Sequence, residues 1–311
     1  MLPVSFFDAH CDTLSCCAHL GWDLAESPGQ TDLRRGAAFS RYAQVFAVFH
    51  DSARAPDDGM WAECMRQIEV FHAQLARNSD HVVQCRSAAD LERAGAEHKT
   101  AAFLSIEGGD LLECDPGRLE WARDAGVKLI NLTWNRANAL SGTHCEDSAR
   151  GLSAQGKEFA RRAWSLDILP DVSHLSDAGF WDLVDLGAGP IVASHSDSRA
   201  LCAHSRNLTD EMFRAIRDSG GFVGLNFYTP FVGLDNTIDA IFAHLEHFLD
   251  LGGEMCVGFG GDWDGCDRMP GGIRGVQDMV KLYEEMLRRN YSAALIDALF
   301  FNNLKHTMVK Q

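Results

Sequence analysis

ILPDVSHLSDAGFWDLVDLGAGPIVASH, residues 168–195, holds one complete unit of the fold. A short apolar run closes on Ser-His at 173–174, a stretch with helical spacing covers 177–186, and a second apolar run closes on Ser-His at 194–195. An apolar run, an amphipathic helix and another apolar run are the pattern of a βαβ unit in a parallel sheet. Equivalent ends one unit apart would bring His174 and His195 together on adjacent strands.

The pattern extends in both directions. Apolar runs recur at 4–9, 43–49, 100–106, 127–133, 168–173, 190–194, 221–227 and 255–261, eight in all. Helical stretches are expected at 61–78, 118–125, 153–166, 177–186, 209–219, 237–251, near 276–289 and at 292–306. Ser153 and Thr209 suit N-cap positions. No repeat, low-complexity tract or Pro/Ser-rich linker marks a boundary, so residues 1–311 read as one domain. Eight strand-helix units predict a (β/α)8 TIM-like barrel of the α/β class. An open doubly wound sheet is the alternative, but neither GxGxxG nor a Walker loop follows the first run.

Composition narrows the function. Forty-four Asp and Glu against 28 Lys and Arg give a net charge of -16. Nucleic acids and anionic membranes need clustered cations, so neither is an expected partner. Nothing resembles a bilayer-spanning run, and no Lys or Arg precedes Arg34, so no secretory signal is expected. Ten cysteines without a CxxC pair read as reduced thiols, and the cytoplasm as the location. The 46% of apolar residues is compatible with a homodimer, although no feature specifies an interface.

In a barrel of this kind the chemistry sits where the strands end. The first run ends FFDAHCD, and strand alternation would turn His10 and Asp12 to one face and Cys11 to the other. The third ends FLSIEGG, placing Glu107 on an apolar strand, where a carboxylate needs a partner. The eighth ends GFGGDWDG, with Asp262 and Asp264 among glycines. Each has an ordinary alternative: a hydrogen-bonded core histidine, an Arg or Lys pair for Glu107, a turn or N-cap for Asp264. Together, His10, Asp12, Glu107, His174, His195 and Asp262 exceed what one tetrahedral zinc uses, and two metals sharing a bridge is the natural count. The ten other histidines fall mostly in inferred helices and loops and are not expected to be ligands. His144, in the long loop after the fourth run, is the least dismissible.

These residues lie within a longer set of motifs: DAHCDT at 8–13, SIEGGD at 105–110, NLTWNRANALSG at 131–142, GLSAQGKEFARRA at 151–163, DVSHLSD at 171–177, ASHSDSRALCAHSRNLTDE at 193–211, NFY at 226–228 and GFGGDWDG at 258–265. In this order and spacing the chain resembles the membrane (renal-type) dipeptidases and their bacterial relatives, zinc hydrolases of the amidohydrolase superfamily. The resemblance implies a metallo-dipeptidase that cleaves dipeptides with a free C-terminal carboxylate, L,D-dipeptides among them. It implies two Zn²⁺, with Mn²⁺ or Co²⁺ also suited to the donors. His10 and Asp12 would hold one ion, His174 and His195 the other, and Glu107 would bridge them, with a shared hydroxide as nucleophile. Asp262 would be the catalytic proton acceptor, and Arg206 would hold the substrate carboxylate through its planar fork.

Tyr228 would line the substrate pocket. The fourth strand departs from the mammalian pattern, where a histidine follows Leu-Thr: here the position is Trp134, whose indole offers one donor and no basic nitrogen. The segment 135–155 is expected to fold over the mouth as a partial lid, with Asn135, Asn138 and His144 near the dipeptide's amino end. Another small amide or ester, such as an N-acyl amino acid or a lactone, is the second reading. A non-catalytic metal-binding relative is the third, and its expected mark, the loss of a ligand, is absent.

Overall fold

The computed structural model describes residues 3–233 and 237–309. Nine strands run in chain order: β1 (Phe6–Cys11), β2 (Tyr42–Phe49), β3 (Val82–Gln84), β4 (Thr100–Glu107), β5 (Val127–Asn131), β6 (Leu169–Asp171), β7 (Val192–Ala193), β8 (Phe222–Leu225) and β9 (Val257–Phe259). All pairings are parallel, and β2 pairs directly with β4 over Ala43↔Ala101 to Phe49↔Glu107. With β1 bonded to both β2 and β9, the eight strands other than β3 close into a barrel. They correspond to the eight apolar runs. β3 lies outside the ring, pairing the start of β4 below the point where β5 takes over that edge.

Each of the eight barrel strands is buried on both faces, which is why the runs are continuously apolar rather than alternating. Side-chain alternation sorts them into two cores. Phe7, Ala9, Ala43, Val45, Ala101, Phe103, Leu129, Leu169, Val192 and Phe222 form one cluster, closed by Phe301, Leu304 and Met308. Phe6, Phe46, Val48, Leu104, Ile106, Ile130 and Phe259 pack outward against the helices. Glu107 shares the inward parity of Ala101 and Phe103, so a carboxylate faces the barrel axis at its mouth.

The helices largely follow the expected stretches, with Ser153 capping Gly156 N at 3.0 Å and Thr209 capping Met212 N at 3.3 Å. Among the helices that were not expected are Thr13–Leu20, and Ala88–Ala96 with its capping box of Ser87 and Asp90, together with the single turns Leu33–Gly36 and Thr229–Val232. The last expected helix is three pieces, Ala293–Asp297, a π-helical turn at Ala298–Asn302 and Asn303–Met308. The π turn presents Phe300 to the outer core and Phe301 to the inner one.

Close backbone approach sets the mouth. A Cβ on Gly260 would run into the Ser194 carbonyl, next to His195. Gly260→Ala is therefore expected to cost roughly 1–3 kcal/mol through overpacking, read as a lower midpoint of urea denaturation. Among the described residues no helix is long and apolar enough to cross a membrane. All ten cysteines are free.

Candidate metal centre

Three buried aspartates tie the strand ends together. Asp8 Oδ1 accepts from His10 N at 3.0 Å and Gln44 Nε2 at 2.9 Å, while Oδ2 accepts from Gly261 N at 2.9 Å and Trp263 Nε1 at 3.1 Å. It thereby links β1, β2 and the loop after β9, and burial pushes its carboxyl up to about 6. Asp171 Oδ1 accepts from Ser173 N and Ser194 N, joining β6 to β7. Asp197 Oδ1 accepts from Asn226 N at 3.2 Å, joining β7 to β8. Buried main-chain donors at frayed strand ends need acceptors, and these carboxylates provide them.

On this frame the predicted ligands converge. His10 Nε2 stands 3.5 Å from Asp12 Oδ2, 3.6 Å from Glu107 Oε2 and 3.9 Å from Asp262 Oδ1. Glu107 Oε1 stands 3.0 Å from His174 Nε2 and 3.6 Å from His195 Nε2, and the two imidazole nitrogens are 3.1 Å apart. One carboxylate thus offers one oxygen to each histidine set. Asp12 lies just past the end of β1, at the N-cap of Thr13–Leu20, rather than on the strand. His174 reaches inward through a left-handed backbone, φ +76°, and Asp262 does the same at φ +56°. Non-glycine residues in that region cost energy and cluster at functional sites.

The donor set fits a cation. His174 Nδ1 and His144 Nε2 both meet Asn135 Oδ1, at 2.8 and 3.0 Å. A carbonyl oxygen only accepts, so each imidazole donates there and His174 Nε2 is left with a lone pair. Burial, and then Arg206, hold His174 well below its ordinary pKa, so that nitrogen stays neutral. A lone pair 3.0 Å from a carboxylate oxygen is satisfied by a proton or a metal cation between them. His10 Nε2 and Asp12 Oδ1 are buried without a hydrogen-bond partner. Burial opposes charge on His10, yet Glu107 and Asp12 outweigh it and hold the imidazole well above its usual pKa. Burial likewise pushes Glu107 up to about 7. The pocket is short of positive charge, which a divalent metal supplies.

Asn135 fixes the tautomer of a facing histidine, the usual task of an outer partner around a metal. Asn135→Ala is expected to weaken metal binding about 10–100-fold, measured by competition with a chromophoric chelator.

A cavity of about 500 Å³ opens above these groups, lined by Asp12, Glu107, Trp134, Asn135, His174, Tyr228 and Asp262 together with Phe49 and Phe231. Trp134 packs against Phe49 at 4.8 Å between ring centroids, making an apolar wall. Tyr228 accepts a hydrogen bond from Arg268 at 3.1 Å. Arg206 is not among the lining residues. It is buried behind His195, donating from its two terminal nitrogens to Ser196 Oγ at 2.9 Å and the His195 carbonyl at 3.2 Å, while its Nε has no acceptor.

The expected lid is packed down. Leu140, Ser141 and Thr143 are fully buried, His144 N donates to the His174 carbonyl, and Ser176 N donates to the Gly142 carbonyl. Asn138 stays out of the cavity, its side chain bonding Asp110, the Leu132 carbonyl and Leu140 N. Asp264 accepts from Thr13 and Gln30, a turn-fixing role.

Sequence reading passed over Asn226, which donates from Nδ2 to Asp262 Oδ2 at 3.0 Å and so aims that carboxylate. Its place at the end of an apolar run was the available signal. Phe49, at the end of the second run, carried the same signal.

The family described as membrane dipeptidase, peptidase family M19, matches over residues 2–310. An uncharacterized protein in the PQQ-III 3' region of Acinetobacter calcoaceticus is 37% identical over 199 residues, 60% of this chain and 63% of that protein, so the match spans less than two thirds of the relative. The dipeptidase AC, a metallopeptidase of family M19, has 25% identity with a TM-score of 0.90 over 100% of both chains. A metallopeptidase from Rhodobacter sphaeroides, solved with a phosphinate mimic of the dipeptide L-Ala-D-Ala, has 24% identity and a TM-score of 0.88 over 98% of both chains.

Proposed function

The chain belongs to the membrane dipeptidase family and is a hydrolase of the metallopeptidase type, and from that premise we propose that it is a two-zinc dipeptidase cleaving dipeptides with a free C-terminal carboxylate. The observation that carries the reading is Glu107, with one oxygen 3.6 Å from His10, itself beside Asp12, and the other 3.0 Å from His174 and 3.6 Å from His195. His10 and Asp12 would hold one ion and His174 and His195 the second. Mn²⁺ or Co²⁺ would suit the same donors. Ions held there would supply a bound water of near-neutral pKa and a Lewis acid for the scissile carbonyl.

The protein's own groups do the rest. Asp262, aimed by Asn226 and 3.9 Å from His10, accepts the proton of the attacking water and returns it to the leaving amine. For Arg206 to hold the substrate carboxylate, its guanidinium would have to turn from Ser196 and the His195 carbonyl toward the cavity; its Nε is the donor without an acceptor. Phe49 and Trp134 offer an apolar surface where a donor histidine stands in the mammalian pattern, and Asn135 remains as a polar group on that side. The Rhodobacter protein's L-Ala-D-Ala mimic makes that dipeptide the substrate to try first.

The test is release of alanine from L-Ala-D-Ala and from L-Ala-L-Ala by zinc-reconstituted protein, with a chelator-treated control. Zinc-dependent cleavage of either is the expected result, and the ratio reports whether the C-terminal position accepts a D centre. Failure on both by protein holding its metal would overturn the reading.

A further inference from the structure

A second group of ligand-type side chains lies beside the cavity, built from three elements far apart in sequence. Glu63 sits on helix Gly59–Arg77, His19 in the last turn of helix Thr13–Leu20, and His50 directly after β2. Glu63 Oε1 is 2.7 Å from His19 Nε2 and 3.9 Å from His50 Nδ1, and the imidazole rings meet edge-on at 5.2 Å.

The tautomer of His50 is fixed. Its Nε2 is 2.9 Å from the Arg54 carbonyl, which only accepts, so Nε2 carries the proton and Nδ1 carries a lone pair. That lone pair faces a carboxylate oxygen 3.9 Å away. Two acceptors at this separation suit one cation between them, since zinc binds nitrogen and carboxylate oxygen at about 2.0–2.2 Å each.

Glu63 is held for the purpose. Arg66 donates to its Oε2 at 2.7 Å, and Gln67 donates to Oε1 at 2.8 Å. Gln67 is itself fixed by the Phe49 carbonyl at 2.7 Å, Phe49 N at 3.1 Å and Ser15 Oγ at 3.1 Å. Outer partners of this kind orient ligands around a metal. Burial opposes ionisation of Glu63, but the bonds from Gln67, His19 and Arg66 outweigh it, and the carboxylate is charged. The Arg66 charge works against a cation here, although Asp58 shares that guanidinium through two further bonds. His19 is the adjustable member: its side chain is 39% exposed, and it sits where the helix's unpaired carbonyls favour positive charge.

We propose that His19, His50 and Glu63 form a divalent-cation site with two nitrogen donors and one oxygen donor, separate from the centre at Glu107 and suited to zinc. Two histidines and a glutamate leave a fourth position open for water. Movement of His19 away from Glu63 by about an ångström makes room for the ion, whose Zn–ligand distances exceed a hydrogen atom's. Because His19 lines the cavity, occupancy would add positive charge at its rim.

The experiment counts zinc per chain by elemental analysis after equilibration at a fixed low free zinc concentration, with Co²⁺ absorption as a parallel readout. His50→Ala and His19→Ala are each expected to hold one ion fewer than the parent protein. They should also lose the part of the Co²⁺ spectrum that fills last. Both side chains are partly exposed, so unchanged circular dichroism separates loss of a ligand from loss of fold. If both folded variants hold the parent's number of ions with an unchanged spectrum, the proposal is wrong. Since the measurement requires no turnover, its outcome is independent of the substrate.

Discussion

Glu107→Gln is expected to remove both metal and turnover. In the wild-type protein one carboxylate oxygen lies 3.6 Å from His10 and the other 3.0 Å from His174. An amide keeps the shape but gives up the negative charge and turns one of those acceptors into a donor. Metal affinity should fall by more than the roughly 10–100-fold that loss of an outer partner costs, because the proposed bridge between two ions is lost. Zinc content after dialysis and kcat/KM for L-Ala-D-Ala should collapse together. A Glu107→Gln protein that retains its zinc and its rate would place the metal elsewhere.

Asp262→Asn separates binding from chemistry. Its carboxylate is 3.9 Å from His10 and oriented by Asn226, and the proposed task is proton transfer, which an amide cannot perform. The expected result is a kcat lower by about 10²–10⁴-fold with zinc content close to the parent's. His10, Asp12 and Asp262 also lie close enough together to share an ion, so the zinc count matters. Loss of metal along with rate would make Asp262 a ligand; retention of both would remove it from the mechanism.

The barrel was legible because its strands are buried on both faces and end on polar residues at one rim. That makes each an apolar run with a chemically distinct last residue, as in ILPDVSH and PIVASH. β3 was missed because three residues, Val82–Gln84, carry no periodicity. The helix Thr13–Leu20 was missed because its sequence, TLSCCAHL, offers no charged stripe and no side-chain cap.

Within the site, residues at strand ends could be found from position alone. Their orientation could not: the left-handed backbone of His174, the shared Asn135 oxygen and the burial of Arg206 behind His195 all depend on contacts between distant segments. His19 and His50 illustrate the limit. Each reads as an ordinary histidine until folding sets both against Glu63.

The clamp made by Asp8 has a consequence for the order of events at the ribosome. It joins the first strand to a loop more than 250 residues later, and its last partners are Gly261 and Trp263. His10 and Asp12 leave the ribosome roughly 10–40 s of synthesis ahead of His195 at common translation rates. Until then the growing chain holds an incomplete ligand set on an unclosed sheet. Capture of a metal by the proposed set therefore waits for the strands that close the ring, and would depend on the free metal concentration met at that point.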